Sequence, residues 1–411
     1  MTLIKRIALS QVDLNEAINN FVELTLERNL SRGYRIKILK NDDLMHDLVF
    51  DDLLKARVDL EKRRKHYLQE GYNEVEISIK TDGDKTESKP YQLEFNTKRA
   101  EESQVDTGVL RLIHQLFVDN MVFVEKSIHT PLGKVTQHQI TLATKQLDLA
   151  ELLIAHHESK ESMVQLSNQF YLTMPVKFDR NLPIEHYILD SSDKIDAMRE
   201  LLDTTSTIVG SPQIQHIKNL EAKYHQLGIE MVTCGNHEAE FQQIQQMLRD
   251  GNHHHMQFTV TNIFRINNMD NFVRYNPQNL STLDLVHGTR TENILSILET
   301  GLKLRPPTGT FLTGRMFGAG LYFAKESESS KSMNYSNGFA LAYSNKYYLF
   351  LAEVAVGKIY ETEMPRPDLY DAPNGYDSVQ GVPGYWLRYN EHVVYHNDQV
   401  KLRYLVEFEI K

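Results

Sequence analysis

The stretch Leu283-Asp284-Leu285-Val286-His287-Gly288-Thr289-Arg290 reads as an apolar strand that ends in an imidazole beside a bare backbone. Three more segments follow in order: Gly320-Leu321-Tyr322-Phe323-Ala324, Lys331-Ser332-Met333-Asn334-Tyr335 and Tyr389-Asn390-Glu391. Together they supply one imidazole, two phenol rings, one hydroxyl and one carboxylate. A lone histidine at a strand end is ordinarily structural, so the weight rests on the four segments together.

In these segments the chain resembles the poly(ADP-ribose) polymerases, a branch of the ADP-ribosyltransferases whose hallmark is a His, a Tyr and a Glu on three separate strands. Here those are His287, Tyr322 and Glu391, set in HGTRTENILSILETGL, TGRMFGAGLYFAKESESSKSMNY and YNEHVVYHNDQVKLRYLVEFEI. The resemblance is strong over the last third of the chain, clear over the middle third and faint over the first hundred residues. It implies an α+β chain: a small N-terminal α+β module, an all-α helical bundle, then a fold of two antiparallel β-sheets around an NAD cleft.

The residue patterns divide the chain in the same way. Between Phe21 and Ile79, strand-like runs (Phe21 to Leu26, Tyr34 to Ile38) precede a helix from Leu53 to Glu70 that carries Lys55, Arg57, Lys62, Arg63, Arg64 and Lys65. This order resembles a worn WGR domain, although the only tryptophan is Trp386 and the Trp-Gly-Arg triplet is absent. KTDGDKTESKP, residues 80–90, reads as a linker or hairpin tip. Then Val109, Ile113, Leu116, Phe117, Met121 and Val124 share one helical face. Thr136 and Gln139 form a capping-box start for a helix aligning Ile140, Ala143, Leu147, Ala150 and Ile154. Further helices fit Met163 to Tyr171 and Ser192 to Asp203. Beyond Gly228 the pattern turns to strands and short helices. Tyr348 to Tyr360 reads as one apolar strand, and Val400, Leu402, Tyr404, Val406, Phe408 and Ile410 as one face of a half-buried strand. The expected domains are 1–100 (WGR-like), 104–226 (helical regulatory) and 228–411 (catalytic). Gly318-Ala319-Gly320 lacks the third glycine and the following helix of a Rossmann turn.

With 411 residues, 41% hydrophobic and 24% charged, and a mean hydropathy of −0.43, the composition is that of a globular chain with room for several domains. A net charge of −10 weighs against nucleic-acid gripping as the main task, because phosphate neutralisation drives that binding. Cys234 is the only cysteine, which excludes an internal disulfide framework and fits a reducing compartment. No secretory signal or membrane-length apolar run is visible. The expected setting is intracellular: nuclear in a eukaryote, cytoplasmic in a bacterium.

The resemblance implies NAD+ as substrate and gives each site residue a role. Tyr322 and Tyr335 sandwich the nicotinamide, each contact being worth about 0.5–2 kcal/mol for a cationic ring. Ser332 and the Gly288 backbone bond its carboxamide, and His287 the ribose hydroxyls. Thr289, Asn293 and Lys303 contact the adenosine half, with Lys303 replacing a more usual arginine and so losing a bidentate contact. Glu391 polarises the ribose, stabilises the developing cation and activates the acceptor hydroxyl. Lys331 and Met316 fall on the acceptor side, and residues 305–320 resemble a lid over the donor site. No metal is implied: His253-His254-His255 cannot all face one ion from a strand.

The function so implied is NAD-dependent poly(ADP-ribosyl)transfer to protein acceptors, including the chain itself. The helical domain is expected to be autoinhibitory through the helix around Ile195, Met198, Leu201 and Leu202. In relatives the stimulus is often a DNA strand break sensed by upstream domains; here the N-terminal module is the candidate contact for such a break, a different trigger or little need of activation being the alternatives. Mono-ADP-ribosyltransfer or NAD glycohydrolysis is the alternative within the same cleft, since Glu361 to Trp386 is short for the family. An inactive NAD- or DNA-end-binding scaffold is the alternative of another class.

Overall fold

The computed structural model describes residues 2–29, 33–75, 100, 103–129, 135–179, 181–209, 217–252, 255–269, 275–277, 280–304, 316–338 and 345–410. Chain contacts divide it into two units: Met1–Gln92 with Val124–Gly210, and Leu93–Phe123 with Ser211–Lys411. The 80–90 linker and the 305–315 part of the expected lid lie outside the described residues.

In the first unit, β1 (Thr2–Asp13), β2 (Ile18–Asn29), β3 (Gly33–Lys40), β4 (Asp43–Phe50) and β5 (Asn73–Val75) form a sheet in the order β4-β3-β2-β1-β5. Helix α1 (Leu53–Gln69) covers one face, burying Ala56 and Leu60 against Leu24, Leu26 and Ile36. The sequence reading found β2, β3 and α1 but not β1 or β4. Most of β4 is exposed, so it lacks the apolar alternation that marks a half-buried strand. The α1 cations sit among carboxylates: Lys55 pairs with Asp51, Arg63 with Asp59, and Arg64 with Glu61 and Glu74.

The same unit holds α3 (Gln137–Ala155), α4 (Lys160–Thr173) and α5 (Ser192–Val209). The expected capping box is present: Gln139 N donates to Thr136 Oγ1 at 3.1 Å, and Thr136 N to Gln139 Oε1 at 2.9 Å. Ile140, Ala143, Leu147 and Ala150 are buried as their spacing predicts. The N-terminal sheet is tied to these helices by Leu14 N donating to Asn168 Oδ1 (3.0 Å) and by a Lys177–Asp42 ion pair at 2.7 Å.

The second unit opens with most of α2 (Thr107–Ser127), followed by α6 (Ile217–Gln226) and α7 (Ala239–Asp250). Nine strands run in the order β11-β12-β13-β9-β8-β10-β14-β7-β6. Their ranges are β6 Ile229–Thr233, β7 Phe258–Met269, β8 Thr282–Gly288, β9 Leu321–Lys325, β10 Lys346–Ala355, β11 Ile359–Thr362, β12 Ser378–Gly381, β13 Glu391–Val394 and β14 Val400–Ile410. The two expected sheets are continuous here, joined through β9, which meets β8 at just two registered pairs, Leu285↔Lys325 and Val286↔Ala324. All pairings are antiparallel except β11 with β12. Leu116 and Phe117 of α2 enter the core of this unit beside Ile294 and Leu298 of α8 (Ile294–Thr300), which follows β8. No helix among the described residues is long and apolar enough to cross a membrane.

Two expectations are corrected. The run Tyr348 to Tyr360 is two strands, β10 and β11, because Gly357 turns at φ +52° and a Cβ there would lie 2.4 Å from Asp377 Oδ2. Strand β14 is covered on both faces, not half-buried. An irregularity in the β10–β14 register between Leu351 and Ala352 places Val400, Leu402 and Leu405 in one core cluster, and Val406 and Phe408 in another. A bulge of this kind reverses the alternation beyond it.

Helix α9 (Ser329–Gly338) lies on β8 at very close range. A Cβ on Gly288 would sit 2.0 Å from the Ser332 carbonyl oxygen, so glycine is required there by packing alone. Two stability effects are expected. Replacing Gly288 by alanine forces α9 away from β8, costing about 1–3 kcal/mol in line with overpacked cores, read as a lowered unfolding midpoint. Thr136→Ala removes the cap of α3 at a cost of about 1 kcal/mol, measurable by urea titration of the intact chain.

Candidate active site

Strands β8, β9 and β13 are neighbours, and they carry His287, Tyr322 and Glu391 respectively. At about 4.8 Å per strand step, β8 and β13 run about 10 Å apart, with α9 contributing Lys331 and Ser332 to the same region.

His287 Nδ1 lies 2.9 Å from the Tyr322 carbonyl oxygen. A carbonyl only accepts, so Nδ1 carries the proton and Nε2 presents a lone pair. Burial lowers the pKa of this imidazole below its ordinary value, and the Tyr322 carbonyl offsets that only in part. At neutral pH the ring is therefore neutral and an acceptor at Nε2.

The Tyr322 phenol is held by its own preceding turn. Its hydroxyl donates to Gly318 O at 2.8 Å and accepts from Phe317 N at 3.0 Å. The turn is compact because Gly318 adopts φ +74° against the Leu369 backbone. With the hydroxyl occupied, the ring face is what Tyr322 has to offer a ligand. Ser332 is buried and donates to Val286 O at 3.2 Å, leaving its oxygen free to accept. Tyr335 belongs to α9, but its side chain lies outside the described residues.

Glu391 opens β13 and pairs with Lys331 Nζ at 2.6 Å, the carboxylate side chain being 16% exposed. Behind it lies a set of contacts that sequence reasoning did not find. Gln380 Nε2 donates to Asn390 Oδ1 at 2.8 Å, and Asn390 Nδ2 donates to Glu328 Oε1 at 2.9 Å. Asn390 stood in the motif without a role. Gln380 and Glu328 gave no signal, because they are remote in sequence and meet only when β12, β13 and the start of α9 converge.

The remaining candidates fall elsewhere. Thr289 is buried, and its hydroxyl accepts from Asn293 Nδ2 at 3.3 Å. Lys303 is exposed. Asn120 of α2 anchors this segment by donating to Glu292 O at 3.1 Å. Met316 packs beside the small apolar cluster of Phe317, Leu369, Val379, Val393 and Tyr395, with no described contact to Lys331. His253 and His254 lie outside the described residues. Among the described residues, Cys234, Glu238 and Glu240 bring metal-type ligand atoms within 4.8 Å of one another. Arg265 already pairs with both carboxylates.

The site thus combines an aromatic face, a neutral imidazole acceptor, a buried hydroxyl and a carboxylate oriented by an ammonium. That set can hold a flat heterocycle and the hydroxyls of an attached sugar, and its carboxylate can stabilise a developing cation.

The family model "Poly(ADP-ribose) polymerase catalytic domain" matches residues 238–386, a span that contains His287 and Tyr322 and stops short of Glu391. "Poly(ADP-ribose) polymerase, regulatory domain" matches residues 105–228. The chain is similar to "Poly [ADP-ribose] polymerase 2" of Homo sapiens, 28% identical over 86% of this chain and 68% of that protein. It is 30% identical to "Poly [ADP-ribose] polymerase 1" of Danio rerio over 74% of this chain but 34% of the relative. It is 25% identical to "Protein mono-ADP-ribosyltransferase PARP3" of Homo sapiens over 76% of this chain and 67% of the relative. It therefore spans about two thirds of the two human proteins and one third of the fish one. With catalytic and regulatory models matched in tandem over more than half of its length, this chain belongs to the poly(ADP-ribose) polymerase family.

Proposed function

We propose that this protein is an NAD+-dependent poly(ADP-ribosyl)transferase. It would break the bond between nicotinamide and ribose and pass ADP-ribose to protein acceptors, itself included, and to growing chains. The observation that carries this reading is the Lys331–Glu391 pair, made from the same helix whose next residue, Ser332, packs against Gly288.

In this reading the domains are 1–100, 104–226 and 228–411. Nicotinamide stacks on Tyr322 and Tyr335, with its carboxamide on Ser332 and the Gly288 backbone. The ribose donates a hydroxyl to His287 Nε2, which is why the imidazole must stay neutral. As the glycosidic bond breaks, the electron pair leaves with nicotinamide and the sugar becomes cationic, as in glycoside hydrolysis. Glu391 stabilises that charge and accepts the proton of the attacking hydroxyl. Lys331 fixes the carboxylate's direction. Thr289, Asn293 and Lys303 serve the adenosine half, and Met316 with Lys331 the acceptor side.

Replacing Glu391 by glutamine is expected to cut chain growth roughly 10²–10³-fold, the usual cost of removing a group that stabilises transition-state charge. Labelled NAD+ run on a gel reads this directly. A ladder supports polymer formation, a single shifted band indicates single transfer, and no label indicates a binding scaffold. Parallel lanes with nicked DNA test the strand-break stimulus, which would have to act despite the ion pairs of Lys55, Arg63 and Arg64 on α1.

The match of residues 105–228 to a regulatory domain supports the autoinhibitory role of α5. Loosening that helix with Leu201→Gly, a change at a buried interior position, is expected to raise NAD+ turnover. An unchanged or lowered rate in folded protein refutes the autoinhibition.

A further inference from the structure

We infer that Asn390 and Glu328 form a two-point clamp that positions the Lys331–Glu391 pair. This rests on the reading of Glu391 given above. Asn390 immediately precedes Glu391, the first residue of β13, whereas Glu328 and Lys331 lie three residues apart where the 3-10 turn Glu326–Glu328 runs into α9. Residues so spaced share one side of a helical turn. Asn390 bonds Glu328 at 2.9 Å and Glu391 bonds Lys331 at 2.6 Å, so two adjacent residues of one element are tied to two stacked residues of another.

The ring is closed from a third side. Buried Gln380 donates to Asn390 Oδ1 at 2.8 Å, and its neighbour Gly381 is in register with Glu391. An amide with a donor on its oxygen and a carboxylate on its nitrogen has one orientation. Asn390 therefore cannot flip without losing both bonds, and the start of β13 stays aligned with the first turn of α9. A single Lys–Glu bond would leave both long side chains to swing about one contact. The second contact removes that freedom. Asn390 and Glu328 touch no reacting atom, so they are positioning residues.

The experiment uses the intact chain and measures nicotinamide release with NAD+, separating kcat from KM. Asn390→Asp keeps the acceptor for Gln380 but sets two carboxylates face to face. It should lower kcat about tenfold or more, as expected when a reacting group is misplaced by a fraction of an ångström, with KM for NAD+ changed far less. E328A should lower kcat likewise, and E328Q, which keeps an oxygen for Asn390, should retain more of it. The double variant N390D/E328Q exchanges amide and carboxylate, letting the introduced amide donate back across the gap. It should recover most of the kcat lost in N390D. Wild-type kcat in folded N390D and E328A, or a double variant no faster than N390D, overturns the clamp. If N390D does not fold, the E328A and E328Q pair decides by the same kcat comparison. Failure of the clamp and failure of the underlying reading are distinguishable: inactive E391Q beside fully active N390D and E328A refutes only the clamp, whereas active E391Q refutes the role of Glu391 itself.

Discussion

The close approach of β8 to α9 is the constraint on which the rest of the second unit depends. Gly288 has no side chain, and the Ser332 backbone occupies the space one would need. That contact sets Ser332 beside Val286, and Lys331, one residue earlier on the same helix, reaches Glu391 two strands away. The helix is held from its far end too, where the Ser336 hydroxyl lies 3.0 and 2.8 Å from the carbonyl oxygens of Ser332 and Tyr348 and shares its one proton between them. Displacing α9 would disturb the hydroxyl, the ammonium and the carboxylate together. Glycine at this position therefore answers a packing need before any ligand is considered.

Much of this was legible in the sequence, for reasons that differ by element. The capping box at Thr136 and the apolar faces of α2 and α3 could be read because helix periodicity and cap chemistry are local. The His, Tyr and Glu positions were legible through a resemblance carried by short motifs, and the structure has them on three separate strands, β8, β9 and β13. What could not be read were pairings over long sequence separations: Asn390 with Glu328, Gln380 with Asn390, Asn120 with the Glu292 carbonyl. Each depends on which strands become neighbours, and no periodicity records that. The reading of β14 failed for a related reason. Its alternation looked uniform, but the register irregularity opposite Leu351 and Ala352 hands part of the strand to a second core. Exposed β4 was missed because a strand with little buried surface carries little pattern.

The first unit gives the N-terminal module a different character from the one its basic residues suggest. Lys55, Arg63 and Arg64 are already matched by carboxylates of the same helix or nearby segments. Phosphate would have to compete with those partners. Exposed pairs of this kind contribute little to stability, so their main effect is on the local field, which they bring close to neutral. The module is also not a detached appendage. Asn168, Val176 and Lys177, from α4 and the segment after it, all bond residues of the β1–β2 and β3–β4 regions. Within this unit, sheet and helices are continuous.

The two-pair seam between β8 and β9 has a mechanical consequence. A sheet is stiff in proportion to its ladder, and here the ladder almost vanishes on the line that divides the imidazole-bearing strand from the two that carry the phenol and the carboxylate. What bridges the seam is chiefly α9, through Ser332 on one bank and Lys331 on the other, with the imidazole reaching the Tyr322 carbonyl between them. The helix acts as a brace across a joint with little ladder of its own. A tilt of that brace would change the width of the gap and the angle of the carboxylate in one motion, so the two are mechanically coupled in this architecture.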